Sequence, residues 1–236
     1  MSDKKEKFEL TSIPLKPGTY QRPKRTNPNV PAEKYDRVDK VCENEVFLSN
    51  DGNAYVPKES MPTILNTNKN RSRFIADNLL SDDSRRVING KEAYNSSELI
   101  GFLDKRSHET RNAEHAAIDR YSRDALIGIG DSDQAEAVRR QLDAQSQRTL
   151  PRLKNQRGVD FDEITGDPLE KNSAFHHLYE KSIYTNPADT MDPDKGINVN
   201  ADTHQEIHRR NIHNPGELER QKEDIKQTVK RKRNNK

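Results

Sequence analysis

Tryptophan is absent from this 236-residue chain, and phenylalanine and tyrosine together supply only 6% of it. Rings bury the most area per side chain, so any core here must rest mainly on aliphatic residues and alanine. Those are scarce as well: hydrophobic residues make up 30% of the chain and charged residues 34%. Small cores with polar surroundings are expected, with part of the chain outside them. There is one cysteine, Cys42. A lone thiol makes neither an intrachain disulfide nor a Cys-rich zinc ribbon, so a metal would have to be held by His, Asp, Glu or Asn. No run approaches the roughly 20 apolar residues of a membrane span. The first ten residues are charged and lack the apolar stretch of a secretory leader. The expectation is a soluble cytoplasmic protein without membrane contact. Lys and Arg number 41 and Asp and Glu 39; with totals so nearly balanced, the distribution of charge is the informative quantity.

The chain reads as α+β in five stretches. Residues 1–40 interleave Pro14, Pro17, Pro23, Pro28 and Pro31 with Lys16, Arg22, Lys24 and Arg25. Proline at that density blocks helix and central strand, which predicts a basic flexible arm. Residues 41–150 read as a mixed, mainly helical domain for recognition or for a protein partner. In it, Asn50-Asp51-Gly52 between Glu45–Ser49 and Asn53–Val56 predicts a hairpin. Asn89-Gly90 marks a second turn, and Asn95 with Glu98 resembles a capping box. Ala113, Ala117, Tyr121 and Ala125, then Ala135, Val138 and Leu142, follow helical spacing. His108 and His115 fall here as surface or helix-packing residues. Residues 151–158 read as a linker, 159–219 as a small C-terminal module, and 220–236 as a basic helix fraying into a flexible tail.

Five of the seven histidines lie between residues 176 and 213. His176 and His177 are adjacent in a strand-like run, so their side chains diverge. Gly196–Asn200 is strand-like again, and Ala201–His208 opens a helix capped by Asn200 or Asp202. His204 and His208, four apart, stack one turn above each other on one helix face, the usual way for a helix to offer a metal two imidazoles. A neutral imidazole also serves as a base near working pH.

Strand with His176-His177, a loop with Asp192-Pro193-Asp194-Lys195-Gly196-Ile197, then a helix with His204-x-x-x-His208: this order resembles the HNH, or ββα-metal, endonucleases over residues 159–213. The resemblance implies His176, His204 and His208 as ligands of one divalent ion (Mg²⁺, Mn²⁺, Ni²⁺ or Zn²⁺) and His177 as the general base. It implies DNA as substrate and a phage, defence or toxin setting, with the host cytoplasm as location for a phage-encoded chain. The sequence departs from the motif at Lys195, where the family has a bracing Asn. Asn198 and Asn200 lie nearby but out of register, so Lys195, Asn198 and Asn200 are the candidates for structural support. The paired Cys knuckles of many relatives are replaced by Thr165-Gly166-Asp167-Pro168. His213, Arg209 and Arg210 are candidates for phosphate contact. A metalloprotease is excluded because Gln205 stands where H-E-x-x-H chemistry needs its Glu. The competing expectation is a non-catalytic nucleic-acid-binding or assembly protein in which a metal-stabilised ββα module acts as a structural clip.

Overall fold

The computed structural model describes residues 9–179 and 187–234. It is α+β, and it divides into two compact units, Leu10–Leu142 and Asp143–Lys236.

The first unit is built on a curled five-stranded antiparallel sheet. Its strands are β1 (Ser12–Pro14), β2 (Phe47–Ser49), β3 (Ala54–Pro57), β4 (Arg85–Ile88) and β5 (Lys91–Asn95), in the order β1-β2-β3-β5-β4. The expected hairpin is present: Gly52 at φ +80° turns β2 into β3. Asn89 and Gly90, both at positive φ, turn β4 into β5. The helices are α1 (Ala32–Asn44), α2 (Met61–Ile64), α3 (Lys69–Asn78), α4 (Ser96–Glu109), α5 (Ala113–Gly130) and the start of α6 (Asp133–Gln156). Their apolar faces close over the sheet, burying Tyr35, Val38, Leu48, Val56, Leu99, Leu103, Ile118 and Leu126. Asn68, Asn95 and Asn112 cap α3, α4 and α5. The box at α4 is not reciprocal, however: Glu98 accepts from the Ser81 amide, 3.0 Å away. Asp39, fully buried, accepts from Tyr20 at 2.6 Å and Tyr121 at 2.7 Å. Cys42 is buried beside it, and burial pushes its thiol well above the ordinary range.

Three sequence expectations are corrected here. The basic arm, as far as it lies among the described residues, is folded: it contributes β1 and α1, and Ile13, Leu15 and Tyr20 pack on the core. Proline excludes a central strand but not an edge one, and Pro14 is on an edge. Arg22 and Arg25 are neutralised by Glu43 and Asp36 of α1. Residues 1–8 of that arm lie outside the described residues. The linker over 151–158 is instead helical as far as Gln156 with Pro151 inside α6, because Leu153 is buried and Lys154 Nζ donates to the Ser173 carbonyl. The expected basic C-terminal helix is present as α8, Pro215–Asn234, but it starts earlier, runs without fraying to the last described residue, and buries Leu218, Ile225 and Val229. Its Arg233 donates to Asp202 and Asp167. Residues 235–236 of the expected tail, and residues 180–186 of the stretch between His177 and Asp192, lie outside the described residues.

The second unit holds a two-stranded antiparallel pair, β6 (Ala174–His177) and β7 (Gly196–Val199), followed by α7 (Ala201–Arg209) and α8. Its core is small and aliphatic: Ile164, Ile197, Val199, Ile207, Ile212, Leu218, Ile225 and Val229. No helix among the described residues is long and apolar enough to cross a membrane.

Candidate metal centre

The site begins with strand register. Pairing of Phe175 with Asn198, His176 with Ile197 and His177 with Gly196 fixes which side chains leave each face of β6. His176 points toward α7, and His177 leaves on the other side with Phe175, whose ring meets its own edge-on at 5.2 Å. Gly196 makes room for that arrangement: a Cβ there would collide with the Phe175 ring.

α7 starts directly after β7. Asn200 occupies its N-cap position but makes no cap hydrogen bond. Its side chain instead accepts from the Glu170 amide at 2.7 Å and donates to the Pro168 carbonyl at 3.1 Å. Glu206 faces the core side, and His204 and His208 line up one turn apart. Their ring centroids are 4.5 Å apart, and His176 stands 5.2 and 5.4 Å from them. The Nε2 atoms of His204 and His208 are separated by 3.2 Å. Two nitrogens at about 2.0–2.1 Å from a tetrahedral ion would be about 3.3 Å apart, so this spacing fits a shared ion. One ligand nitrogen from each of the three histidines falls within 4.8 Å of the others. Burial pushes the His176 imidazole down to about 3, with His204, His208 and His177 adding to the effect. Burial and then His208 lower His204 in the same direction. His176 and His204 are thus held neutral, the form that binds a metal. The donor set is nitrogen only, which suits Zn²⁺ or Ni²⁺ better than Mg²⁺.

His177 Nε2 lies 2.9 Å from the Thr190 carbonyl. A carbonyl only accepts, so a neutral His177 carries its proton on Nε2, and Nδ1 is its basic nitrogen. His176, His177, His204, His208 and His213 line one cavity of about 360 Å³, with Tyr179 at its edge. The structure therefore gathers the expected catalytic and ligand residues around a single space.

The other expected residues have mixed fates. Arg209 and Arg210 turn back to Glu206, whose carboxylate accepts from Arg209 Nε at 2.9 Å, Arg210 Nε at 2.8 Å and Lys232 Nζ at 2.9 Å. That pairing commits part of each guanidinium group to Glu206, while Arg209 stays 61% exposed. Lys195 supports the end of β6 through its main chain, its carbonyl accepting from the Leu178 amide at 2.9 Å. Asn198 Nδ2 donates to the Lys154 carbonyl at 3.0 Å, and its buried Oδ1 has no hydrogen-bond partner among the described residues. The Asn198 side chain ties β7 to the end of α6 through Lys154, and the Asn200 side chain ties it to Pro168 and Glu170; neither side chain reaches the loop that precedes β7.

Sequence reasoning missed Asp162 and Glu163. Asp162 is fully buried and accepts from the amides of Ile164, Thr165 and Asn200. Glu163 accepts from the Asn198 amide at 2.6 Å and from Arg157. An Asp placed before Thr165-Gly166 is a turn-forming signal and made the first legible; the second has no local signature. No protein-family model, curated protein or solved structure matches this chain.

Proposed function

We propose that the chain is a metal-dependent endonuclease of the HNH (ββα-metal) type that hydrolyses phosphodiester bonds in DNA. The observation that carries this reading is the convergence of His176, His204 and His208 at ligand spacing, with the adjacent His177 among the residues that border the same cavity. A structural metal clip needs only the first three histidines; the nuclease reading adds a catalytic task for His177 to its bond with the Thr190 carbonyl and its packing on Phe175.

In this reading His176 holds the ion from the strand, and His204 and His208 hold it from the helix. When bound, a divalent ion supplies Lewis-acid stabilisation of the charge that grows on phosphate oxygens. His177 acts as general base: its Nδ1 accepts the proton of the attacking water, while the Nε2–H bond to the Thr190 carbonyl keeps the ring oriented and steadies the imidazolium that forms. Phe175 packs edge-on against that ring and limits its rotation. Cations on α8, such as Arg231, offer phosphate attraction that weakens as salt rises. DNA as the substrate, and a phage, defence or toxin setting, rest on the resemblance of the motif.

The test is cleavage of supercoiled plasmid by the purified chain with Mg²⁺, Mn²⁺, Ni²⁺ or Zn²⁺, beside an EDTA control and His177→Ala. The expected result is metal-dependent nicking, reduced by about 10²–10⁴-fold in the variant, with metal binding by calorimetry retained. Absence of cutting by folded, metal-loaded protein would leave the clip reading. Unfolding of the second unit in His204→Ala would then accompany it.

A further inference from the structure

Away from the histidines, the first unit carries an open groove of about 930 Å³ between α3 and α4. The two helices run antiparallel, as the contacts at their ends require: Arg106 near the end of α4 donates to the Leu65 carbonyl ahead of α3, and Glu98 at the start of α4 accepts from Ser81 beyond α3. One end of the groove is apolar. Ile75 and Leu80 form its floor, and Phe74 and Leu79 are 56% and 54% exposed. Two large apolar side chains so exposed in one concave surface mark an interaction site more often than a bare surface. Gly101 leaves that end of the groove open, since a Cβ there would meet nothing within 4 Å.

The other end is cationic. Arg71 stands one turn before Phe74 on α3, and Lys105 stands one turn beyond Gly101 on α4. Among the described residues neither has an ion-pair partner, unlike Arg106, which is held by Asp119. Of the two carboxylates along the groove, Glu98 is at the apolar end, tied to the Ser81 amide, and Glu109 closes the far end of α4. Ile75, Leu79 and Leu80 beside the Phe74 ring make an apolar lining that suits leucine-like side chains.

We propose that this groove docks an amphipathic helix of a partner protein. Its apolar side chains seat on Phe74 and Leu79, and an acidic side chain about one turn further along meets Arg71 and Lys105. The order of apolar and cationic ends sets the direction of the occupant as well as its composition. This proposal is independent of the nuclease reading.

The experiment is fluorescence anisotropy of a labelled synthetic helical peptide with the full chain in EDTA. The peptide is about four turns long, with Leu at i, i+3, i+4 and i+7 and two Glu one turn beyond. A second peptide has Lys in place of the two Glu. The proposal expects saturable binding of the acidic peptide, at least about tenfold weaker for the Lys peptide. Binding should weaken at least about tenfold in the Phe74→Ala/Leu79→Ala chain and in Lys105→Glu. Gly101→Leu should fill the groove and remove binding while the melting temperature holds or rises. No saturable binding, equal binding of the Lys peptide, or displacement of the acidic peptide by a short DNA duplex would each overturn it. Because the readout uses neither metal nor cleavage, either result leaves the plasmid experiment to be judged separately.

Discussion

Single residues divide into those whose roles follow from local spacing and those whose roles depend on distant neighbours. His204 and His208 belong to the first kind, since helix periodicity alone stacks them. His176 and His177 do too, since strand alternation separates them. Gly196 is of the second kind: its lack of a side chain matters because Phe175, far earlier in the chain, lies over it. Gly196→Ala should cost about 1–3 kcal/mol through overpacking, read as a lower midpoint in urea, and should impair cleavage by displacing the ring beside His177. Glu206 was equally illegible, because one of its partners, Lys232, arrives from α8. Hydrogen bonds from Arg209, against the opposing effect of burial, and then from Lys232 and Arg210 hold its carboxyl well below the usual range. Arg209 and Lys232 are 61% and 57% exposed, so solvent screens much of the attraction. Glu206→Ala should therefore destabilise by only about 1–2 kcal/mol at neutral pH. A depressed carboxylate contributes above its unfolded pKa of about 4.3 and loses that contribution as pH falls below it. The gap between wild type and variant in denaturant midpoint should hold from pH 7 to about 5 and then close. Cys42, buried and with its thiol pushed up, should resist thiol reagents in the native chain and react fully in denaturant.

At the scale of elements, turns and amphipathic helices were legible because their signals are short. Asn50-Asp51-Gly52 and Asn89-Gly90 specify positive φ, and the alanine spacing of α5 specifies a face that packs closely. The arm and the linker were misread for one reason: proline and polarity argue against regular structure only when no tertiary partner repays the element. β1 finds β2, and the end of α6 is held by Leu153 and Lys154. The strand-helix pair of the metal centre carries its own prediction. His176 is held at about 3 and His204 is lowered, while an unfolded imidazole takes its proton near 6.5. Between those values the unfolded chain binds protons that the folded chain refuses, so the metal-free protein loses stability as pH falls below about 6.5. Added Zn²⁺ or Ni²⁺ should raise the melting temperature at pH 7.5 and do so progressively less toward pH 5, because protons and metal compete for the same nitrogens. An unchanged melting temperature with metal at pH 7.5 would count against the centre.

For the whole molecule, the division into two units was only partly readable. The expected boundary near residue 150 falls close to the observed one at 142, but a helix runs through it where a linker was expected. Composition cannot place such a boundary, because α6 is polar along most of its length. Chelation should act on one unit alone. Hydrogen exchange in EDTA should accelerate at the amides of β6, β7 and α7 and stay unchanged at those of β2, β3 and β5. Acceleration throughout the sheet would contradict a centre confined to the second unit. Under the proposed nuclease function, DNA affinity of the intact chain should fall linearly on a log–log plot against salt, the slope counting the phosphates neutralised; no salt-dependent binding would count against that proposal.

The sheet unit is continuous in sequence, from Leu10 to Leu142, and the histidine cluster is not complete until His208. Synthesis proceeds from the N-terminus at about 5–20 residues per second. A ribosome therefore delivers every residue of the α3–α4 groove several seconds before the last metal ligand. A translation product that stops between residues 142 and 204 would carry the α3–α4 groove without the complete histidine cluster. Such a fragment would compete with the full-length chain for whatever the groove holds, so premature termination would yield an antagonist that lacks the histidine cluster.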